Sequence, residues 1–150
     1  MTNIYKERMV PVAQTPFVVF LFGIRINKLW KFNKWIPVIR ARNRIIKELY
    51  NHKDSGFMAH ESWLGNPLIT LQYWRSYSQL IEYAREKNSD HFPAWVAFNE
   101  HYSGDGDIGI WHESYLIKEG CYEAVYKNMP VFGLGKATAI KAMKGAKIQD

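Results

Sequence analysis

The predicted elements run strand–helix–strand–strand–helix–strand over 150 residues, the split βαβ or ferredoxin-like form of an α+β fold. Three observations lead there. An apolar run, Phe17–Asn27, precedes a helical stripe that reaches Leu49. Two strand-like runs, Phe57–Leu64 and Leu68–Trp74, are separated only by Gly65–Pro67, so they form an antiparallel hairpin. A His–Glu–Ser–aromatic motif occurs twice, as AHESWLG (Ala59–Gly65) and WHESYLI (Trp111–Ile117). The two copies fall on the second and fourth predicted strands, which the pseudo-two-fold of this fold relates to each other.

Residues 1–15 read as irregular. Phe17–Asn27 begins with consecutive apolar positions, as a strand covered on both faces does. In Leu29–Asn51 the side chains of Trp35, Val38, Ile39, Arg42, Ile45, Ile46 and Leu49 make one helical stripe. Pro37 belongs in a first turn, so the regular helix is expected to start near Lys34 or Trp35. Ser76–Lys87 is a second helix, with Leu80, Ile81 and Ala84 inward. Ser89 or Asp90 caps a short helix, Phe92–Tyr102, with Pro93 in its first turn. SGDGD (Ser103–Asp107) ends it, and Asp107–Ile117 is the fourth strand. Cys121–Lys127 reads as extended and Thr138–Lys144 as a short helix. With no long linker, residues 1–150 are expected to form a single domain. The second and fourth strands lie at the sheet edges in this topology, where unpaired backbone invites a partner, so a homodimer that closes them is expected.

Composition narrows the function classes. Aromatic residues make up 15% of the chain, enough to line a ligand pocket or an interface as well as fill a core. The lone Cys121 excludes an internal disulfide and, with no CxxC, a thiolate zinc site is not expected. The net charge of +6 is spread over a helix face (Arg40, Arg44, Lys47) and a tail (Lys136, Lys141, Lys144, Lys147). These read as solvated surface; no motif points to nucleic acid. Phe17–Ile24 is too short to span a bilayer, so no membrane association and a cytoplasmic location are expected.

Several residues are candidates for chemistry. His112 and Glu113 are neighbours in a strand and must point to opposite faces. His112 shares a face with Ile108, Ile110, Ser114 and Leu116, which call for cover, so it is expected in a helix-covered cavity as a base or a ligand. A hydrogen-bonded structural role is the alternative. His60 and Glu61 repeat the pair, in a site or at an interface. Tyr73 and Arg75 share one face at the end of the third strand, and Trp74 takes the other. Arg75 suits an anionic group or a nearby acid. His91, Trp95 and Asn99 recur at i, i+4, i+8 on one side of a helix that could cap the pocket. Trp111 lies with Glu113 on the other strand face. His60, His91 and His112 show no ligand spacing and HExxH is absent, so no metal site is expected. Gly133–Gly135 lacks the context of a phosphate loop.

The segments HESWLGNP, LQYWRS, HFPAWVAFN, GIWHESY and YKNMPVFGL carry a resemblance. Across roughly residues 15–138 the chain resembles the fumagillin-type monooxygenase-like family, formerly a domain of unknown function, in the dimeric α+β barrel superfamily. That resemblance implies a homodimer and a pocket between sheet and helices. It also implies a monooxygenase, an oxidoreductase acting on a small hydrophobic or aromatic substrate. His112, Glu113 and His91 would be catalytic; His60, Glu61, Tyr73, Trp74, Arg75, Trp95, Asn99 and Trp111 would surround the substrate. Two alternatives stay open. One is a heme enzyme, a heme monooxygenase or aldoxime-dehydratase-like protein with His60, His91 or His112 as axial ligand. The other is a non-catalytic small-ligand-binding protein.

Overall fold

A computed structural model describes residues 2–89, 91–101 and 104–144 of the chain. Asp90, expected as a helix cap, and Lys147 of the basic tail lie outside the described residues. The elements are β1 (Met9–Pro11), β2 (Phe17–Ile26), α1 (Phe32–Asn51), β3 (Phe57–Trp63), β4 (Leu68–Trp74), α2 (Tyr77–Arg85), α3 (His91–His101), β5 (Ile108–Ile117), α4 (Leu134–Ala137) and β6 (Ile140–Ala142).

β3, β4, β2 and β5 form, in that order, one antiparallel sheet. This is the ferredoxin-like order, and it places the two His–Glu–Ser strands, β3 and β5, at the two edges. The repeat is symmetric in side-chain direction too. His60 contacts Tyr50 of α1, and His112 contacts Phe20, so both histidines stand on the helix side. Glu61 and Glu113 consequently stand on the other side, since neighbours along a strand alternate.

α1, α2 and α3 cover one face of the sheet. Val18, Phe57 and Trp74 pack there against Ile46, Leu49, Leu80 and Tyr83. Trp74 is fully buried, and its indole N–H donates to Gln72 Oε1 at 2.9 Å, so the one polar atom of that ring is satisfied. Truncation of such a residue to Ala costs about 3–5 kcal/mol. Towards the other end, Ile24, Ile108 and Phe98 make a second cluster with Trp35, Val38, Ile39 and Ile110.

Local chemistry explains the joints. The Ser76 hydroxyl caps α2 by accepting the Gln79 N–H at 3.2 Å. The Asn66 amide pairs with the Ile26 backbone in both directions, each bond 2.8 Å, and so pins the β3–β4 turn to the end of β2. Asp107, at the start of β5, is buried and meets the ammonium groups of Lys28, Lys31 and Lys34 at 2.7, 2.7 and 3.0 Å. That cluster ties the start of α1 to the start of β5.

The opposite face is only partly covered. Residues 122–139 lie over one end, where Phe17, Tyr73 and Leu134 cluster with Met58, Leu71, Tyr122 and Ala124. Elsewhere on this face Trp63, Trp111 and Tyr115 are 45, 39 and 48% exposed.

Three expectations are corrected, and a fourth is refined. α1 starts at Phe32, so Pro37 is its sixth residue rather than part of its first turn; the Trp35 indole donates to the Leu29 carbonyl at 2.9 Å and braces the earlier start. Residues 1–15 are not wholly irregular, because Met9–Pro11 pairs with Ile140–Ala142. Thr138–Lys144 is therefore not a helix: α4 precedes it and β6 lies within it. Cys121–Lys127 joins no named strand and touches the fold through a bridge from Tyr126 to Met9.

Candidate active site

Between the sheet and helices α1 and α3 lies a cleft of about 490 Å³. Its walls come from three places: Phe22, Ile24 and Ile110 from the sheet, Val38, Ala41 and Arg42 from α1, and His91, Trp95 and Phe98 from α3. Arg40 and Arg44 stand at its rim. An inner space of about 80 Å³ adjoins it, lined by Phe20, Gln72, Trp74 and Tyr83, and the two share Phe22, Arg42 and His91.

His91 is the titratable group at this junction. It opens α3, and its Nδ1 is buried with no hydrogen-bond partner among the described residues. Burial pushes its pKa below the usual 6.5, and His112 adds to that, while a bond to the Ala84 carbonyl and nearby Glu48 oppose it. The imidazole is therefore neutral at neutral pH and has a nitrogen lone pair to offer.

Arg42 is half-buried. Its Nε and Nη2 donate to Thr70 Oγ1 at 3.1 and 2.7 Å, Nη2 also to Ser62 Oγ, and Nη1 to Asn43 Oδ1 at 2.9 Å. Burial lowers its pKa. All of these acceptors are uncharged.

The structure separates the residues that the sequence grouped. His91 and Trp95 line the cleft. Asn99 is exposed on the same helix and does not line it. His112 is a correction: it stands on the helix side, with its ring 5.8 Å from Phe20, but in the single chain it is exposed and outside the cleft wall. Cover reaches its neighbours Ile108 and Ile110, which pack against Phe98 and the α1 side chains, but not His112 itself. His60 lies on the other edge strand, where its Nδ1 is 2.8 Å from Tyr50 Oη; burial and then Lys136 and Arg42 depress its pKa.

Trp74 stands on the helix side and lines the inner space; the other remaining candidates face away from the cleft. Glu113 accepts the Trp111 indole N–H at 3.1 Å and the Tyr115 hydroxyl at 2.6 Å, and those two donors hold its pKa down. Glu61 accepts the Gly133 N–H at 3.0 Å and lies 3.6 Å from Lys136 Nζ. Tyr73 is buried beneath α4, and its pKa is pushed up to about 12, mainly by burial. Trp74 is core. Arg75 is exposed at the end of β4. The Gly133–Gly135 segment serves as a strap over the sheet: Gly133 and Gly135 donate to Glu61 and to Tyr126 Oη.

Sequence reasoning missed Arg42 as a cleft residue and took Arg40 and Arg44 for plain surface. A signal was present: Arg42 interrupts the apolar stripe of α1, and a charge on a buried face calls for a partner.

A heme axial ligand must offer an imidazole nitrogen to a broad flat ring. Of the three histidines considered, His60 is engaged by Tyr50 at the far edge, His112 is outside the cleft wall, and His91 lies where the cleft meets the inner space. Among the described residues no three His, Cys, Asp or Glu side chains gather as a metal site, and no helix is long and apolar enough to cross a membrane.

Comparison with known proteins follows the same lines. The chain is 28% identical over 130 residues to monooxygenase af470 of Aspergillus fumigatus, an alignment that takes in 79% of this chain and 45% of that protein. It thus spans about half the length of this curated relative. Among solved structures, SnoaB, a cofactor-independent oxygenase from Streptomyces nogalater, superposes with a TM-score of 0.50 at 10% identity, over 70% of this chain and 96% of that one. A conserved protein from Bacteroides thetaiotaomicron gives a TM-score of 0.50 at 12% identity, over 69% of this chain and all of the other. These two likenesses speak for the fold alone. The model of the monooxygenase af470-like family matches residues 17–134, the whole sheet with its helices, and the chain belongs to that family.

Proposed function

We propose that the chain is a monooxygenase that binds a small hydrophobic or aromatic substrate in the cleft and oxidises it without a cofactor. The observation that carries this reading is His91: an imidazole in the wall of an apolar cleft, kept neutral by burial, with no hydrogen-bond partner for Nδ1 among the described residues. Family membership supports the reaction class.

A substrate with an activated CH₂ group suits the walls. His91 takes one proton from that carbon. The carbanion passes one electron to dioxygen, and the radical and superoxide combine to form a C–O bond. The protonated His91 returns its proton to the outer peroxide oxygen. Loss of the second carbon-bound proton breaks the O–O bond, and the departing hydroxide collects that proton. The balance is CH₂ + O₂ → C=O + H₂O, with both electron pairs drawn from the substrate. Phe22, Ile110 and Phe98 keep water from the carbanion, and such general-base help contributes roughly 10²–10⁴-fold.

The protein is proposed to work as a homodimer. Trp63, Trp111 and Tyr115 leave an apolar patch on the face away from the helices, and among the described residues neither edge strand, β3 or β5, has a strand neighbour on its outer side.

The test is oxygen uptake by the purified protein with a panel of ring compounds bearing activated CH₂ groups. Uptake matched by ketone product, without added hemin, supports the proposal. A ligand seated in the cleft with no uptake across the panel would leave a non-catalytic binding protein. A Soret band on adding hemin, with activity only then, would move the chemistry to heme.

A further inference from the structure

We infer that the natural ligand of the cleft is an aromatic acid, a flat apolar body bearing a carboxylate that the α1 arginines hold. The inference rests on the cleft being the substrate site.

The argument begins with charge. Arg40, Arg42 and Arg44 all border the cleft. Among the described residues, no carboxylate lies within 4.0 Å of their side-chain nitrogens. Glu48, the acid close enough to act on His91, accepts the Tyr83 hydroxyl at 2.6 Å. Among the described residues, Arg42 is bonded only to hydroxyls and an amide, which satisfy its N–H groups but do not compensate its charge. A half-buried cation kept without a counter-ion is costly, and an anionic ligand removes the cost.

Geometry then selects the ligand class. The planar guanidinium fork matches a carboxylate, and Arg40 and Arg44 at the rim are exposed and able to turn towards one. Facing them, Phe22, Phe98, Trp95 and Ile110 offer ring-sized apolar surface. A ligand lying across the cleft thus puts its carboxylate towards α1 and its ring body towards His91.

Calorimetric titration with 2-naphthoate and with 2-naphthamide, equal in shape and different in charge, tests the inference. The expected result is binding of naphthoate at least about tenfold tighter than naphthamide, one charge-assisted contact being worth about 1.5–3 kcal/mol. Arg42→Met should bring the two affinities together, and Arg42→Lys should restore part of the difference. If Arg42→Met does not fold, Arg40→Gln with Arg44→Gln, both at exposed positions, should still shrink the ratio. Equal affinities in the wild type overturn the inference and leave the cleft as a neutral-ligand site. Binding of neither probe overturns both the inference and the cleft reading.

Discussion

Gly23 and Trp111 stand opposite each other in the β2–β5 register, and the indole occupies the space a side chain at 23 would need. A Cβ built on Gly23 would lie 2.6 Å from Trp111 Cε3. The glycine is therefore the reason the indole can lie close against the sheet and reach Glu113. Gly23→Ala should displace the ring and destabilise the protein by about 1–3 kcal/mol, the usual range for overpacking. In Gly23→Ala with Trp111→Ala the clash is gone, so denaturant melts of both single variants and the double should show strong non-additivity. Additive losses would mean the ring does not depend on that space.

The same indole bears on assembly. Trp111 and Tyr115 present an apolar, edge-strand surface that a second copy would cover. Light scattering at micromolar concentration should give a dimer for the wild type. Trp111→Lys should shift it towards monomer while circular dichroism stays unchanged. A monomeric wild type would contradict the proposed homodimer.

Tyr73 predicts behaviour at high pH. Its hydroxyl ionises at about 12 in the folded protein against the ordinary 10.0. A raised value means the neutral form is favoured by folding. Its stabilisation is complete below pH 10 and disappears as pH rises through about 12. Spectrophotometric titration should show one tyrosine ionising only in that range, together with unfolding, and Tyr73→Phe should remove that step. A Tyr73 that titrates normally while the fold persists would contradict the burial described.

Asp107 works in the opposite direction. Hydrogen bonds from Lys28 and Lys31 lead in holding its pKa far below the usual 3.8. A depressed value means the charged form is favoured by folding, so its contribution is complete above about pH 4 and is lost as pH falls further. Asp107→Asn should lower the thermal midpoint at pH 7 and flatten the acid limb of the stability curve. Because the lysines are partly exposed, the loss should be smaller in high salt. An unchanged midpoint would show that the cluster is idle.

Much of the fold was legible because its signals are local. The β3–β4 hairpin follows from a turn of three residues, the α2 cap from Ser76, and the edge positions of the two His–Glu–Ser strands from element order alone. The pairing of Met9–Pro11 with Ile140–Ala142 was not legible, since strands of three residues carry no usable period and their partners are far apart in sequence. For the site, alternation put His112 and Glu113 on opposite faces, and the apolar row of Ile108, Ile110 and Leu116 pointed His112 to the helix side, where it stands. Its exposure depends on how far tertiary cover extends over the sheet, which no local pattern encodes. His91 was found because i, i+4 spacing put it with Trp95 on one side of α3. Arg42 was missed because helical periodicity marks a face and does not say whether a cavity lies above it.

The central claim is that His91 accepts the substrate proton in the cleft. Oxygen uptake by His91→Gln, with a substrate the wild type oxidises, is the most direct measurement. The account predicts a fall in kcat of about 10²–10⁴-fold with the substrate Kd changed only a few-fold. It also predicts that the wild-type acid limb of kcat/KM lies below the 6.5 of an ordinary histidine, since burial depresses this one. Wild-type kcat in a folded His91→Gln protein would contradict it.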